Sequence, residues 1–469
     1  MNETLKQPED ESRNSRSASH QSDQLHWFPL LVPIFVAVAV SLFSPNFRWM
    51  EIKTEVNEAG ETKLIYPELE EPLGADFVQE YTGGYILQTE KWSLLYHQFH
   101  ANGIQHNEEV FGFQWPEDKY FPMVYPPFYY WATSWFSQIG DGLLGYLWTA
   151  RIWLWLSGIA VSLSGYLLHR FYIPSRSVVS IGLVATLIFV PLLSNFSMAQ
   201  KGSFLLLILT STFVLLHHNQ KFWSGVVFGL IAFKPHLGLV IGISMLCKRQ
   251  WQFCLGAVST VALMTGASSL AFPGVWSKYL KVVGQMQDYI RNTGYQLNDS
   301  HGLWGAAELS LGDLVSSTSV NTTAVVLGVV VIALLVRVLW KKSEVTSTTF
   351  GFQFAAMIVA MILLSPHFYT YDLVVLLLAF ALITSSHPAL RSGSLPDKVA
   401  TWRSTIQGAG LVYLMIAMFF LLGLFPKIAN SIHFQLSVPL FFALLWLLPA
   451  RSTTVETVET GAPAKVLGG

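Results

Sequence analysis

Long apolar runs separated by short polar stretches dominate this sequence. Hydrophobic residues make up 52% of the 469 residues, and charged residues make up only 12%. Many runs reach about fifteen to twenty-five residues, which is the length that a helix needs to cross a bilayer. This composition is typical of an integral membrane protein and not of a soluble core. We therefore predict an all-α polytopic membrane protein.

About twelve transmembrane helices are expected from these runs, with ends defined to within a few residues. The runs are Trp27 to Phe43, Leu143 to His169, Val178 to Ser194, Ser203 to Leu216, Phe222 to Phe233, Leu237 to Cys247, Phe253 to Phe272, Thr323 to Trp340, Phe350 to Leu364, Tyr371 to Thr384, Gly408 to Phe425 and Phe434 to Leu448. Residues 27–450 then form one transmembrane domain. Two large outer loops, residues 44–142 and 273–321, interrupt it.

The distribution of positive charge orients the predicted helices. Lys and Arg are more frequent in cytoplasmic loops than in outer loops, and the basic turns at Lys248-Arg249 and Lys341-Lys342 fall on one side of the membrane in this arrangement. The first 26 residues are polar and rich in Ser, Gln, Asp and Glu, which predicts a disordered cytoplasmic tail. Residues 451–469 are expected to form a second cytoplasmic tail. We expect a multi-pass protein of a bacterial-type plasma membrane, with both termini in the cytoplasm.

The outer loop at residues 44–142 contains a short aromatic segment. Pro126-Pro127 is followed by Phe128 to Phe136, which is too short to cross the bilayer. Because Tyr and Trp are favoured at the interface between membrane and water, we expect a juxtamembrane helix that lies along the outer surface.

Net charge, cysteine content and missing motifs exclude several other classes of protein. The net charge is −1 and no basic stripe is interleaved with aromatic residues, so a nucleic-acid surface is not indicated. Cys247 and Cys254 both flank a predicted cytoplasmic turn, which favours structural thiols over a disulfide framework or a zinc site. The sequence contains no Walker loop and no GxGxxG motif leading from a strand, so nucleotide-dependent chemistry is not supported, and it contains no GxSxG motif and no His/Cys cluster with the spacing of metal ligands.

A proline interrupts the apolar stretch from Phe222 to Cys247. A single continuous helix would place the basic residues before and after this stretch on opposite sides of the membrane. A break at Lys234-Pro235 returns them to one side, and the proline removes a helical hydrogen bond there in any case. Each half is then only about 18 Å long, shorter than a hydrocarbon core of about 30 Å. Lys234 is therefore predicted to lie below the outer surface, in a water-filled cavity.

Polar side chains gather on the predicted outer side of the membrane. The candidate functional residues are Asp76, Glu80, Tyr125, Arg151, Gln200, Lys201, Lys234, His236, Asn298, His301, His367, Tyr371 and Asp372. Short outer connections are normally poor in cations, so Lys201 and Lys234 depart from the pattern of the rest of the chain. An ion near the membrane needs a partner. For several cations at the outer leaflet, the phosphate of a lipid is a natural partner.

Each candidate also has an ordinary structural explanation. Asp76 occupies a position that could cap a helix, and Glu80, one turn later, is either a second carboxylate or a solvated residue. Lys234 could be an interfacial lysine that extends to water without a ligand. Similar explanations, as a structural ion pair, as polar loop residues or as a helix cap, apply to Arg151, His236, His367 and Asp372.

The order of several motifs resembles that of the GT-C glycosyltransferases, in particular glycosyltransferase family 87. The motifs are Asp76-Phe77 in the first outer loop, Tyr125-Pro126-Pro127, the turn with Gln200, Lys234-Pro235 followed by Lys248-Arg249-Gln250-Trp251, the loop with Asn298 and Ser300, and Ser365-Pro366. The resemblance extends from Trp27 to Thr384. It implies a GT-C-like fold and an activity like that of the α-mannosyltransferases that use polyprenyl-phosphate-mannose.

The resemblance and the residues together suggest individual roles. Asp76 would deprotonate the acceptor hydroxyl, while Lys234, Lys201 and Arg151 would bind the donor phosphate. Contacts to substrate are expected from Glu80, Tyr125, Gln200, His236, Asn298, His301, His367, Tyr371 and Asp372. Many relatives carry a tryptophan and one or two histidines several residues after Ser-Pro, whereas this chain has His367 directly after Ser365-Pro366 and Tyr371-Asp372 further on.

These roles describe an inverting glycosyltransferase. A carboxylate that takes the acceptor proton commonly contributes about 10² to 10⁴ in rate, and cations stabilise the charge that develops on the departing phosphate. We expect transfer of a sugar, mannose by resemblance, from a polyprenyl-phosphate donor to a hydroxyl of a lipid- or glycan-linked acceptor at the outer face. The lysines supply positive charge without a metal or another cofactor, and a divalent ion at Asp76 and Glu80 is left open.

Two other functions are compatible with the sequence. A lipid-linked sugar flippase or polytopic transporter would need ionisable residues near the membrane midplane and broken helices in matched halves. Here the ionisable residues collect on the outer side and the loop at residues 44–142 is long, which favours chemistry at the surface. The second alternative is a glycan ligase that uses a polyprenyl-diphosphate donor.

Overall fold

The structure, a computed structural model, describes residues 27–47, 53–56, 62–65, 73–89, 92–113, 115, 120–140, 142–173, 176–293, 297–386 and 400–448. The two expected cytoplasmic tails, residues 1–26 and 451–469, lie outside the described residues. The described part of the chain is helical apart from one β-hairpin, in agreement with the predicted all-α class.

The first half of the chain combines apolar helices with a group of short helices between residues 44 and 142. In chain order its elements are α1 (Trp27–Phe43), β1 (Lys53–Val56), β2 (Thr62–Ile65), α2 (Phe77–Gln88), α3 (Gln98–Gln105), α4 (Glu108–Phe111), α5 (Pro127–Thr133), α6 (Gly142–Phe171), α7 (Arg176–Ala185), α8 (Val190–Ser197) and α9 (Gly202–His217). Short 3₁₀ helices lie at Pro45–Phe47, Trp92–Leu94, Ser134–Gln138 and Thr186–Ile188. The hairpin of β1 and β2, antiparallel with Lys53 opposite Ile65, was not predicted.

The second half of the chain contains the remaining helices. They are α10 (Lys221–Gly229), α11 (Pro235–Cys247), α12 (Trp251–Ala271), α13 (Val275–Thr293), α14 (Leu303–Leu311), α15 (Ser317–Leu339), α16 (Thr348–Leu364), α17 (Leu376–Ser386), α18 (Ala400–Leu421), α19 (Phe425–Ile432) and α20 (Ser437–Leu447). Further 3₁₀ helices lie at Leu230–Phe233, Leu297–Asp299 and Thr370–Val375.

Only some of these helices satisfy the length and composition of a complete membrane span. Within the described residues, three helices do so: Leu144–Phe171, Trp251–Ala271 and Ser317–Leu339. A fourth span results if Ala409–Leu421 and Phe425–Ile432, bent by 80°, are taken together. Other apolar helices, 10–17 residues long, are shorter than a span. The several apolar helices support a membrane protein, but the expected number of about twelve spans is not confirmed.

The proline break that the sequence predicts is present. After α10 the chain continues as the 3₁₀ helix Leu230–Phe233, and Pro235 is the first residue of α11. Proline is favoured at this first position because it lacks the backbone N–H that would be unpaired there. Lys234 therefore lies at the junction, as expected.

The structure differs from the sequence prediction in one helical span and in the end of one loop. The expected span from Val178 to Ser194 is divided into α7 and α8 by a 3₁₀ helix, and Pro191 lies in the first turn of α8. The second outer loop was expected to end at residue 321, but α15 already begins at Ser317. Ser316 accepts a hydrogen bond from the backbone N–H of Ser319 and so caps this helix, which explains the earlier start.

Helix α16, whose buried part is apolar except for Gln353, forms the centre of the helix packing. Every residue from Phe350 to Leu363 is buried. A helix that is apolar on all sides is stable only where other helices surround it, and α11, α15, α17 and α20 pack against α16. Its C-terminal end leads directly into Ser365-Pro366 and the loop that carries the later candidate residues.

Small residues bring α10 and α12 close together. A Cβ atom on Gly225 would collide with the backbone carbonyl of Phe253, and one on Gly256 would collide with that of Phe222. The Thr260 hydroxyl donates a hydrogen bond of 3.0 Å to a carbonyl oxygen of α10. Glycine lets membrane helices approach in this way. The contact fixes α10 and therefore the Lys234 junction that follows it.

Candidate active site

An uncommon backbone turn positions Asp76. Gly74 has a φ of 74° and Ala75 a φ of 49°, and residues with a side chain rarely adopt this left-handed conformation. The turn is held by the Tyr146 hydroxyl, which donates a hydrogen bond of 2.6 Å to the carbonyl oxygen of Leu73. Backbone strain of this kind is common at functional sites, where the surrounding structure maintains it.

Asp76 occupies the N-cap position of α2, but its side chain does not cap the helix. It accepts a short hydrogen bond from the side-chain amide of Gln200 instead. Asp76 is only 8% exposed. The explanation of Asp76 as a simple helix cap is therefore wrong, and the turn between α8 and α9 orients its carboxylate.

A buried ion pair joins the same two elements one helical turn further along α2. Lys201 Nζ lies 2.7 Å from Glu80 Oε1, and the Tyr129 hydroxyl donates a hydrogen bond of 2.7 Å to the same oxygen. The Lys201 ammonium also lies 4.3 Å from the centre of the Tyr125 ring, in a cation–π contact. Glu80 is therefore a paired, buried carboxylate and not a solvated residue.

Lys234 and Asp372 form a second buried ion pair. The Lys234 ammonium lies 2.7 Å from Oδ1 and 2.8 Å from Oδ2 of Asp372. It also lies 5.4 Å from the centre of the Tyr371 ring. Asp372 is inside the 3₁₀ helix Thr370–Val375 and does not cap it. Lys234 is consequently not an unpaired interfacial lysine.

One large cavity, of about 950 Å³, brings these groups together. Asp76, Gln200, Lys234 and Asp372 all line it, and its other polar or aromatic lining residues include Gln79, Tyr125, His236, Tyr279, Trp304, Asn321, His367 and Tyr371. An apolar wall is formed by residues of α13, α15 and α16, among them Val283, Met286, Val325, Val329, Ile332 and Leu363. The cavity therefore has both polar and apolar walls, as the binding site of an amphiphilic molecule requires.

Burial changes the acidity of Asp76. Burial raises the pKa of its carboxyl from 3.8 to about 6, whereas the positive charge of Lys201 lowers it and the negative charge of Glu80 raises it further. The hydrogen bond from Gln200 and the more distant charge of Lys234 also favour the ionised form. A carboxylate with this pKa is ionised at neutral pH and accepts a proton more readily than an exposed aspartate, which suits a general base.

A second cavity, of about 600 Å³, lies beside the first. Its walls are mostly aromatic and aliphatic, with residues from α5, α6, α9 and α12. Phe233 lines both cavities, and its ring stacks on that of Tyr129 with 5.8 Å between the ring centres. Lys201 lines this second cavity and not the first.

The third expected phosphate ligand, Arg151, lies apart from both cavity walls. It belongs to α6 and is buried, with its guanidinium 5.1 Å from the ring centre of Trp148. Of the three cations that the sequence proposes for the donor phosphate, the structure places Lys234 alone in the lining of the larger cavity.

His301 anchors the loop between α13 and α14 and is not among the residues that line the larger cavity. Its two ring nitrogens lie 2.7 Å from the Ser437 hydroxyl and 2.8 Å from that of Thr370, and Thr370 donates a further hydrogen bond of 2.5 Å to Asp299. Burial lowers the pKa of His301 to about 3, so the ring is neutral. The backbone carbonyl of Asn298 accepts a hydrogen bond from α19–α20 linker residue Gln435. Asn298 and His301 thus support the loop.

A group of aromatic rings lines the larger cavity near Lys234. The ring centres of His236 and His367 are 6.3 Å apart, and those of His367 and Trp304 are 6.0 Å apart. The Trp304 indole donates a hydrogen bond of 3.1 Å to Asn321. Burial and the charge of Lys234 lower the pKa of His367 to about 4, so at neutral pH its ring can both donate and accept hydrogen bonds.

Sequence reasoning missed several residues of the site. Tyr129 contacts Glu80 directly, and Gln79 and Trp304 line the larger cavity. Tyr129 lies within the aromatic segment after Pro126-Pro127, whose sequence predicts only a position at the membrane surface. Trp304 had no signal in the sequence, because its place in the wall depends on how α14 packs against the loop after α16.

No three side chains of His, Cys, Asp or Glu come together as metal ligands in the part of the chain that the structure describes.

The fold and the larger cavity fit a membrane-embedded enzyme with an amphiphilic substrate. The model of glycosyltransferase family 87 matches residues 123–366, which is more than half of the chain. The chain belongs to glycosyltransferase family 87 and is a glycosyltransferase. Asp76 and Asp372 lie outside the matched residues, so their roles must be argued from the structure. Neither the curated proteins nor the solved structures include a significant match.

Proposed function

We propose that this glycosyltransferase transfers a sugar, mannose by family resemblance, from a polyprenyl-phosphate donor to a hydroxyl group of a lipid- or glycan-linked acceptor. The observation that supports this most strongly is that Asp76 and Lys234 line the same cavity, which also has an apolar wall along α15. The sugar phosphate would occupy the polar part, and the first isoprene units would lie against the apolar wall. Membership of the family favours this transferase over the transporter considered from the sequence.

Asp76 is the general base of the proposed reaction. One carboxylate oxygen accepts the hydrogen bond from Gln200, which leaves the other to accept the proton of the acceptor hydroxyl. The acceptor oxygen forms a bond to the anomeric carbon while the bond from that carbon to the phosphate oxygen breaks. A single displacement of this kind inverts the anomeric carbon, so a β-linked donor gives an α-linked product.

Lys234 stabilises the departing phosphate. A lysine ammonium has three N–H donors, and two of them are directed at the oxygens of Asp372. The third is available to a phosphate oxygen at the cavity wall. Because Asp372 fixes the ammonium before the donor binds, little reorganisation is needed as negative charge develops.

The aromatic group of His236, Tyr371, Trp304 and His367 is the proposed contact surface for the sugar. Sugars present hydroxyl groups that hydrogen-bond to neutral imidazoles, and their C–H faces pack on aromatic rings. The position of these rings beside Lys234 in the cavity lining supports this assignment.

The proposed location follows from the distribution of charge. Residues 27–450 form the membrane domain, with the loops at 44–142 and 273–321 on the outer side and both termini in the cytoplasm of a bacterial-type plasma membrane. The basic turns at Lys248-Arg249 and Lys341-Lys342 support this orientation.

Transfer from a labelled donor tests the proposal. Membranes that contain the wild type or Asp76→Asn are incubated with polyprenyl-phosphate-mannose carrying radiolabel in the sugar, and labelled glycolipid or glycan is measured. We expect the wild type to form labelled product and Asp76→Asn to lose at least about 10²-fold in rate, because the general base is absent. Asp313→Asn, which changes an exposed aspartate outside the cavity, is the matched control.

Two outcomes would contradict the proposal. Equal product formation by the wild type and Asp76→Asn would remove Asp76 from the mechanism. Absence of transfer from the monophosphate donor, with transfer from a polyprenyl-diphosphate sugar, would replace the proposed donor by that of a ligase.

A further inference from the structure

Two side-chain contacts join α2 to the turn between α8 and α9. Asp76 and Glu80 are four residues apart and therefore lie on the same face of a helix, one turn apart. Their partners, Gln200 and Lys201, are adjacent in sequence. The carboxylate proposed as the base and the buried ion pair are consequently parts of one contact between the same two segments.

The ion pair is almost completely removed from water. The side chains of Lys201 and Glu80 are 1% and 0% exposed, and Tyr129 and Tyr125 cover the pair from α5 and the segment before it. A charge in such a place is stable only with its partner, because a lone buried ion bears its full desolvation cost. If Lys201 moved to a donor phosphate, Glu80 would be left buried and unpaired.

Lys234 and Lys201 line different cavities, which also indicates that Lys201 does not contact a phosphate in the larger cavity. Lys234 lines the larger cavity with Asp76, whereas Lys201 lines the smaller one and is separated from the larger by its contact with the Tyr125 ring. A phosphate in the larger cavity would therefore meet Lys234 and not Lys201.

We propose that Glu80 and Lys201 are positioning residues, which hold the Asp76 carboxylate in place and determine the electrostatic field around it, and that Lys201 does not bind the donor phosphate. This inference rests on the proposed function of Asp76 as the general base. It assigns the second carboxylate of the site a role different from substrate contact.

The pair acts on Asp76 with two opposite charges. The ionisable groups that face Asp76 are Lys201, Glu80 and Lys234 among the charged side chains, and Tyr125, Tyr146 and Tyr369 among the phenols. Lys201 favours the ionised form of Asp76 and Glu80 disfavours it. Removing one member of the pair must therefore shift the proton affinity of Asp76 in one direction, and removing the other must shift it in the opposite direction.

Thermal unfolding tests this without any substrate. Melting temperatures are measured against pH for proteins with Asp76 and for proteins with Asp76→Asn, in three backgrounds: wild type, Lys201→Met and Glu80→Gln. The quantity of interest is the difference between the two proteins in each background. As the pH is raised, the difference changes until the pH reaches the pKa of Asp76 in the folded protein and is constant above it. We expect this pKa to move up by about one pH unit with Lys201→Met and down by a similar amount with Glu80→Gln.

Transfer from labelled polyprenyl-phosphate-mannose provides the second readout. The acid side of the profile of kcat/KM against pH should shift in the same two directions, while the KM for the donor stays near that of the wild type. A rise in donor KM with Lys201→Met and an unshifted pH profile would overturn the inference in favour of phosphate binding. If neither the profile of kcat/KM against pH nor the pH dependence of the melting-temperature difference shifts in either variant, the inference is wrong and the pair has a purely structural role.

A double variant guards against misfolding of the single ones. Replacing both members of a buried ion pair is often tolerated, whereas removing one strands the other. Glu80→Gln with Lys201→Met should therefore unfold at a higher temperature than either single variant and retain the donor KM of the wild type; a raised donor KM would overturn the inference. A further outcome is that the wild type forms no product from the donor while thermal unfolding shows the Asp76 pKa raised in Lys201→Met and lowered in Glu80→Gln. That result would reject the proposed donor and leave the positioning role intact.

Discussion

Lys234 and Asp372, 138 residues apart in the sequence, are joined at the cavity wall by two contacts of 2.7 and 2.8 Å. Lys234 lies at the break between α10 and α11, and Asp372 lies on the 3₁₀ helix that follows α16. The ion pair therefore connects the junction between α10 and α11 to the segment that follows α16, and it holds the Lys234 ammonium in the wall of the larger cavity.

These two contributions of the pair should be separable by mutation. Lys234→Met or Asp372→Asn alone leaves a buried charge without its partner and should cost about 3 to 5 kcal/mol in the free energy of unfolding. The double variant should recover most of that stability. Transfer should nevertheless stay at least about 10²-fold below the wild type in both variants that lack Lys234. Melting temperature and transfer rate measure the two effects, and Lys427→Met, which changes an exposed lysine, is the control. A double variant with normal transfer would show that Lys234 has no part in the reaction.

The rate of transfer should depend on pH through Asp76. The general base must be deprotonated, and its pKa is raised by burial to about 6. We therefore expect kcat/KM to fall as the pH is lowered through about 6, with the ionised fraction of Asp76. Initial rates measured at saturating acceptor, from about pH 4.5 to 8, would test this. A midpoint near 4, the value of an exposed aspartate, would contradict the buried environment described above.

The same carboxylate should reduce the stability of the fold at neutral pH. Because the pKa is raised in the folded protein, the fold favours the neutral form of Asp76. This stabilising contribution is fully present below about pH 4 and is lost as the pH rises to about 6. The shift corresponds to at most about 3 kcal/mol at neutral pH. Asp76→Asn should therefore be inactive but more resistant to thermal unfolding than the wild type at pH 7.5, with the advantage disappearing towards pH 4. Equal melting temperatures at both pH values would contradict this expectation.

Gly202, the first residue of α9, should not tolerate a side chain. A Cβ atom there would lie 2.5 Å from the backbone carbonyl oxygen of Tyr371 and 2.8 Å from the side-chain nitrogen Nδ2 of Asn195. Gly202→Ala should therefore displace the preceding Gln200 and Lys201, lower transfer and cost about 1 to 3 kcal/mol in unfolding free energy.

The control for this substitution is Gly266→Ala in α12, where the new Cβ would meet nothing within 4 Å. It should be neutral or stabilising by about 0.5 to 1 kcal/mol, since alanine favours helix. Wild-type transfer and stability in Gly202→Ala would show that the turn has more freedom than the structure indicates.

Local signals made part of this architecture predictable. The break at Lys234-Pro235 follows from one proline and from the charges on either side of the stretch. Asp76 is indicated as a candidate because it is an acidic residue at the start of a helical pattern in a predicted outer loop. The expectation that Asp76 and Lys234 share a site required only that both lie at the same side of the membrane. Both now line one cavity.

The pairing of charges could not be predicted in the same way. Lys201 and Glu80 meet because the fold brings α2 beside the turn between α8 and α9, and the spacing of residues in the sequence does not indicate that these two segments are neighbours. The sequence therefore suggested phosphate for Lys201 and solvent or substrate for Glu80. The limits of the helices were also uncertain, since run length alone does not reveal that a 3₁₀ segment at Thr186–Ile188 divides one apolar run into two helices.

The lining of the larger cavity has a consequence for the binding of any anionic substrate. Among its described residues, the charged side chains are two carboxylates, Asp76 and Asp372, and one ammonium, Lys234. A phosphodiester that enters this cavity adds negative charge to a site that already has an excess of it, so its binding favours the neutral form of Asp76. Donor association and proton uptake are then thermodynamically linked. Acidic conditions therefore strengthen donor binding but remove the base, so the more tightly bound complex is the unreactive one.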